Sequence, residues 1–196
     1  MMYKQIFSAI AILITFVAFI PYIRSILKGK TRPHAFSWII WASVTFIVFL
    51  AQIADKGGLG AWPIGISGII TLYVAMLAYS KKSDLTITKT DWLFFISALT
   101  AIPFWYFTSN PLWAVMILTT IDLLGFAPTF RKSYQYPYSE QLTFYAIIAS
   151  RNILSIFALE NYSLTTLLFP AATAFACILF IQMVSIRRIN FNKDKE

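Results

Sequence analysis

Apolar residues run along this chain in seven stretches, each close to the roughly 20 residues that cross a bilayer as a helix. They fall near 5–27, 35–54, 61–80, 92–108, 112–130, 140–159 and 163–186. Polar, turn-forming segments separate them, among them Gly29 to Pro33, Asp55 to Gly60 and Ser109 to Pro111. These are the places where turn chemistry is expected. The pattern predicts an all-α membrane protein of seven transmembrane helices.

One phrase is written twice. Phe19-Ile20-Pro21-Tyr22-Ile23-Arg24 near the end of the first stretch returns as Phe126-Ala127-Pro128-Thr129-Phe130-Arg131 near the end of the fifth. At the same offset of about 107 positions, and with no gap, Ile40 pairs with Ile147, Ala42 with Ala149, Ser43 with Ser150 and Pro63 with Pro170. The repeat spans stretches one to three and five to seven and leaves the fourth without a counterpart. Three helices plus one linker helix make an even number of crossings, so both halves enter the membrane in the same direction, as parallel repeats. The expected organisation is a first three-helix bundle over 1–82, a linker with the fourth helix over 83–110, and a second bundle with its tail over 111–196.

Charge orients the helices. Successive loops alternate between the two sides of the membrane, and one side collects Arg24, Lys28, Lys30, Arg32, Lys81, Lys82, Lys89, Arg131, Lys132 and the basic residues beyond Ser185. The other side has Lys4 and Lys56. The positive-inside rule makes the first side cytoplasmic, with the amino terminus outside and the carboxyl terminus inside. Composition agrees: 59% of residues are hydrophobic and 12% charged, too apolar for a soluble domain. The net charge of +8 is then a signature of insertion and of contact with anionic headgroups of the lipid bilayer, not of nucleic-acid binding. The first stretch has no small-x-small cleavage pattern and is read as a helix, not a leader.

Two parallel three-helix bundles joined by a single helix resemble the SWEET sugar transporters and their SemiSWEET and PQ-loop relatives. The local match is to a proline followed by a basic tail at the end of each bundle's first helix. Pro21, Ile26, Lys28, Lys30 and Thr31 fall on it in the first half, and Pro128, Thr129 and Phe130 in the second. The resemblance implies a carrier of small solutes, with Pro21 and Pro128 acting as hinges; a proline inside a helix frees one carbonyl and weakens one turn. The alternative is that the prolines simply end their helices. Ser43 and Ser150 match a serine the family keeps in the second helix of each bundle. The PQ dipeptide is absent, since Tyr22 and Thr129 follow the prolines, and the asparagine that lines family pockets is missing from 64–68 and 171–175.

Asp122 and Arg151 are the only charges deep in apolar stretches, both about 13–17 Å from the same membrane face at 1.5 Å per residue. Burial at that depth favours facing the interior and pairing. The pair is either a structural tie between the fifth and sixth helices or a solute-facing couple in a central cavity. Ser43 and Ser150 either bond back to their own helices or face each other across the pseudo-axis. With Asn152, Trp41 and Ser67 they complete the candidate solute-binding set. His34, the one histidine, sits in a basic loop as a candidate gate residue. One histidine and one cysteine, Cys177, offer no metal site, and no cofactor is implied. A serine or cysteine nucleophile would lack a base, which argues against an enzyme. No ATP-binding motif is present, so movement must follow a gradient. The expected function is facilitative transport of a small polar solute, sugar-like by resemblance. The alternatives are a carrier of amino acids or other zwitterions with proton coupling, and a non-transporting membrane sensor or assembly protein. One chain contains both halves of a pore, so a homo-oligomer is allowed but not required.

Overall fold

The structure, a computed structural model, describes residues 2–29, 33, 35–81, 85, 87–138 and 142–193. His34 lies outside the described residues. Among those described, all regular elements are helical: α1 (Met2–Leu27), α2 (Ala35–Ala54), a 3-10 turn (Gly58–Ala61), α3 (Trp62–Ser80), α4 (Lys89–Thr108), α5 (Pro111–Gln135), α6 (Leu142–Ala158) and α7 (Leu164–Lys193). Where the apolar pattern predicts a span, an α-helix is found.

Length and apolarity are less uniform than the pattern suggests. Four segments are long and apolar enough to cross a membrane: Met2–Leu27, Ala35–Ala54, Gly58–Ser80 and Leu164–Asn190. α5 runs from Pro111 to Gln135, and the described part of α6 has 17 residues. At that length α6 is about 25 Å long, and Ser150, Arg151, Asn152 and Ser155 interrupt its hydrophobic run.

Helix starts follow capping chemistry. Thr88 accepts from the Asp91 amide at 3.2 Å while the Asp91 carboxylate accepts from the Thr88 amide at 2.8 Å, a reciprocal capping box at the start of α4. The Asn110 side chain accepts from the Leu112 amide at 3.0 Å ahead of Pro111, which needs no donor at the first helical position. Pro21 does not end α1, which continues to Leu27. The proline instead removes one rung from the middle of a continuous helix. Pro128 lies within α5, and its side chain is outside the described set.

The helices pack in the same order in both halves. α3 lies against α1 and α2, and α7 against α5 and α6. Between halves α1 packs on α6 and α2 on α5, which are equivalent pairs under the repeat offset. α4 rests on α5 and α2. Val44 and Val48 of α2, Ala98 and Ala101 of α4, and Val115 and Leu118 of α5 make one buried core. A second core joins Phe19, Ile26 and Val74 to Trp38, Ile147 and Ile148 and so crosses from the first half to α6.

One end of the molecule is tied across the halves by the α2–α3 and α6–α7 connections. Gln52 Nε2 donates to the Thr166 carbonyl at 2.7 Å, Asn161 Nδ2 to the Asp55 carbonyl at 2.9 Å, and the Glu160 amide to the Gly57 carbonyl at 3.0 Å. Ser163 Oγ hydrogen-bonds the Asp55 carboxylate, and Ser8 Oγ donates to the Leu59 carbonyl at 2.7 Å. The backbones approach closely at Gly60, where a Cβ would stand 2.6 Å from the Leu159 nitrogen and 2.7 Å from the Ser155 carbonyl oxygen. Gly60→Ala is therefore expected to destabilise the protein by about 1–3 kcal/mol. Gly68→Ala, with its nearest atoms at 3.6 Å inside α3, is expected to be neutral or to stabilise by up to about 1 kcal/mol. Thermal unfolding in detergent compares the two; equal losses would contradict the close approach at Gly60.

Candidate functional site

The side chains placed at mid-membrane depth by the sequence come to different surroundings. Asp122 of α5 is partly exposed, and Thr173 Oγ1 of α7 donates to its Oδ2 at 3.4 Å while also donating to the Phe169 carbonyl at 2.9 Å. Arg151 of α6 is 5% exposed, and its Nη2 donates to Asn152 Oδ1 at 3.0 Å. Asn152 is itself fixed, its Nδ2 donating to the Ile148 carbonyl at 3.0 Å. Arg151 Nε and Nη1 are buried with no hydrogen-bond partner.

Asp122 and Arg151 thus do not make the direct ion pair expected from their common depth: each is hydrogen-bonded elsewhere. The reason is azimuthal. α7 packs on both α5 and α6, and it is a threonine of α7 that reaches the carboxylate. Cys177 is buried one turn along α7 from Thr173. Leaving a buried donor without a partner costs on the order of 1–3 kcal/mol, so Arg151 is a point of stored cost in this arrangement. Thr119 Oγ1 and Ser155 Oγ are likewise buried without partners.

This polar group belongs to the second half alone. Under the repeat offset Thr119, Asp122, Arg151, Ser155, Thr173 and Cys177 correspond to Ile12, Thr15, Val44, Val48, Ile66 and Ile70. Thr173, Thr119 and Ser155 are not singled out by the sequence reasoning. The signal that finds them is the set of polar residues inside apolar stretches whose repeat partner is aliphatic.

The serine pair behaves alike in both halves and does not face inward. Ser43 Oγ donates to the Ile39 carbonyl and Ser150 Oγ to the Ala146 carbonyl, each at 2.9 Å. Ser43 lies on the side of α2 that carries the exposed Phe46 and Leu50, and Ser150 on the side of α6 with the exposed Ile153 and Phe157. Both are therefore turned outward, and the expectation that they meet across the pseudo-axis is corrected. Ser67 is buried in α3, where its carbonyl accepts from Thr71 at 2.7 Å; no hydrogen bond among the described residues joins it to the polar group.

Trp41 does face the middle. Its indole nitrogen stands 3.8 Å from the Cβ position of Gly125 on α5, one turn from Asp122. Along the same side of α2, Val48 and Gln52 are 0% exposed whereas Trp41 is 41% exposed. This side of α2 is accordingly covered beside the tied loops and part-exposed at Trp41. Trp38 packs edge-on to Trp41 with centroids 5.5 Å apart and stacks on Tyr22 at 5.1 Å. The aromatic arrangement is repeated: Phe19 meets Trp38 at 6.3 Å, and Phe126 meets Tyr145, its offset partner, at 6.4 Å.

Comparison with family models, curated proteins and solved structures finds no match for this chain. The site is therefore argued from its own geometry. Because the two charges are not in contact, the exchange Asp122→Arg with Arg151→Asp is expected to be no better folded than the single variants. The coupling in a double-mutant cycle by thermal unfolding should stay below about 0.5 kcal/mol; a coupling of several times that would restore the direct pair.

Proposed function

We propose that the protein is a membrane carrier of seven spans, two parallel three-helix bundles joined by α4, that moves a small polar solute by alternating access. The observation that carries this is the way the halves meet: α1 on α6 and α2 on α5, joined by hydrogen bonds between the α2–α3 and α6–α7 connections. The matched packing of α1 on α6 and α2 on α5 supports two bodies able to rock on one another. The positive-inside reading of the basic loops assigns the tied end to the outer side. The continuous helix through Pro21 supports a hinge there over a helix end. A non-transporting scaffold of the same fold is the rival, favoured by the packed apolar contact of Val44 and Val48 with Val115 and Leu118.

A substrate-independent measurement separates the two. Val48→Cys, introduced with Cys177→Ser, reports on the shut part of the seam through its labelling by a membrane-impermeant maleimide. Removing the tie with Asp55→Ala and Ser163→Ala deletes contacts each worth about 1 kcal/mol, and labelling should quicken roughly tenfold. A carrier gives that acceleration; a scaffold leaves position 48 protected. Once a solute is found by thermal-shift screening across sugars, amino acids and nucleosides, Pro21→Ala should slow its flux in vesicles while leaving the unfolding temperature within a few degrees of wild type. Undiminished flux would remove the hinge. The Ser43→Val, Ser150→Val double variant should bind that solute as wild type does; loss of binding would bring the serines back into the site.

A further inference from the structure

Two successive arginines near the carboxyl end of α7 grip the α5–α6 connection in the same way. Arg187 Nε donates to the Tyr134 carbonyl at 3.2 Å, and its guanidinium lies 4.3 Å from the centre of the Tyr134 ring. Arg188 Nε donates to the Pro137 carbonyl at 2.8 Å, with its guanidinium 5.0 Å from the Tyr138 ring. For Arg187 these contacts take the Nε edge and one face of the guanidinium. Its two terminal nitrogens, Nη1 and Nη2, meet no acceptor among the described residues, and no described carboxylate is within ion-pairing distance. A planar fork held by its other edge is set in advance for two oxygens of a phosphate, with little side-chain freedom left to lose on binding.

Height along α7 selects the source of that phosphate. The apolar segment Leu164–Asn190 has 27 residues and rises about 40 Å, against a hydrocarbon core of about 30 Å. Measured from the tied loops, Arg187 stands about 35 Å along it, at the level of the lipid headgroups. Tyr134 and Tyr138, on which the arginines lie, are exposed, as are Ile186 and Ile189 beside those arginines in the chain. Exposed tyrosines belong at a membrane interface, and the isoleucines offer apolar surface to acyl chains.

We infer that Arg187, braced by Tyr134, seats the phosphate of an anionic glycerophospholipid on the outer surface of the second half. A headgroup such as that of phosphatidylglycerol brings negative charge alone to the guanidinium, whereas phosphatidylcholine brings an ammonium against it. Because the same guanidinium holds the Tyr134 carbonyl, a lipid seated there ties α7 more firmly to the α5–α6 connection. The inference goes beyond the carrier reading and does not rest on it.

The test offers the purified full chain, in a non-ionic detergent, equal amounts of phosphatidylglycerol and phosphatidylcholine with the same acyl chains. Native mass spectrometry counts the lipids retained, and thermal unfolding reads the stabilisation each gives. Phosphatidylglycerol should be retained at least about fivefold more than phosphatidylcholine, and Arg187→Gln should remove most of that preference. Arg187→Lys, which keeps the charge but not the fork, should also lose at least half of it, and it decides the matter if Arg187→Gln is recovered unfolded. Lys28→Gln, which removes an exposed charge just beyond α1, should leave the preference unchanged. Equal retention of the two lipids overturns the inference, as does an unaltered preference in folded Arg187→Gln or in Arg187→Lys. An equal loss in Lys28→Gln reduces the effect to general charge and also overturns it. Displacement of the lipid by inorganic phosphate at the same concentration assigns the seat to a soluble phosphate and removes the lipid. No solute enters these measurements, so a failed seat leaves the carrier reading as it was, and a failed carrier leaves the seat.

Discussion

A guanidinium buried in an apolar helix with two of its donors unfilled is the constraint around which the second half is arranged. Arg151 has no direct carboxylate partner and is steadied by the amide of its own neighbour, Asn152, which is anchored in turn to the Ile148 carbonyl. A charge in such a position is costly, and Asp122 is hydrogen-bonded instead to Thr173 of α7, the helix that packs on both α5 and α6. The arrangement explains why polar residues interrupt α6 and why α7 contributes a threonine and a cysteine at the same level. Asn152 answers to Arg151 and Thr173 to Asp122, whereas Thr119 and Ser155 are buried without partners.

Symmetry of backbone and asymmetry of chemistry coexist because they rest on different residues. Small side chains are buried at equivalent positions of the two halves: Ala42 and Ala149 are 6% and 5% exposed, and Ala51 and Ala158 are both 0%. Small residues let helices approach in a membrane, where the hydrophobic effect does not drive them together. The aromatic pairs Phe19–Trp38 and Phe126–Tyr145 repeat with nearly equal spacing. Against that common frame, replacing Val44 and Thr15 by Arg151 and Asp122 changes what the seam presents without changing how the halves meet.

Much of the frame was legible in the chain. The seven apolar stretches became seven α-helices, and the offset that aligned Pro21 with Pro128 also aligns the helix contacts. Height was counted from an expected membrane face, which fixes position along a helix but not around it. Azimuth was not legible: Asp122 and Arg151 share a height, but α7 lies against both their helices, and only its packing reveals Thr173 as the carboxylate's partner. For the same reason Ser43 and Ser150, equivalent and well placed in height, turn outward. The tie at the loop end was hidden for another reason. Asp55, Glu160, Asn161 and Ser163 read as ordinary turn residues, and nothing in their sequence says that two turns about a hundred positions apart meet.

The two ends of the second half differ in what would have to break for the halves to part. At the end remote from the tie, Arg187 Nε donates to the Tyr134 carbonyl at 3.2 Å with its guanidinium 4.3 Å from that ring, and Arg188 Nε donates to the Pro137 carbonyl at 2.8 Å. These contacts join α7 to the α5–α6 connection and lie wholly within one half, so separating the halves leaves them intact. The Asp55, Glu160 and Ser163 contacts instead cross between halves at a water-facing edge, where an exchanged hydrogen bond costs only about 1 kcal/mol. Gln52 is the exception: it is fully buried, and its Oε1 has no partner even while its Nε2 holds the Thr166 carbonyl. Opening there would hydrate an acceptor that is unsatisfied when shut, offsetting part of the loss of the donor's bond. Apart from Gln52, the tie is thus built from part-buried contacts of the kind that water can replace.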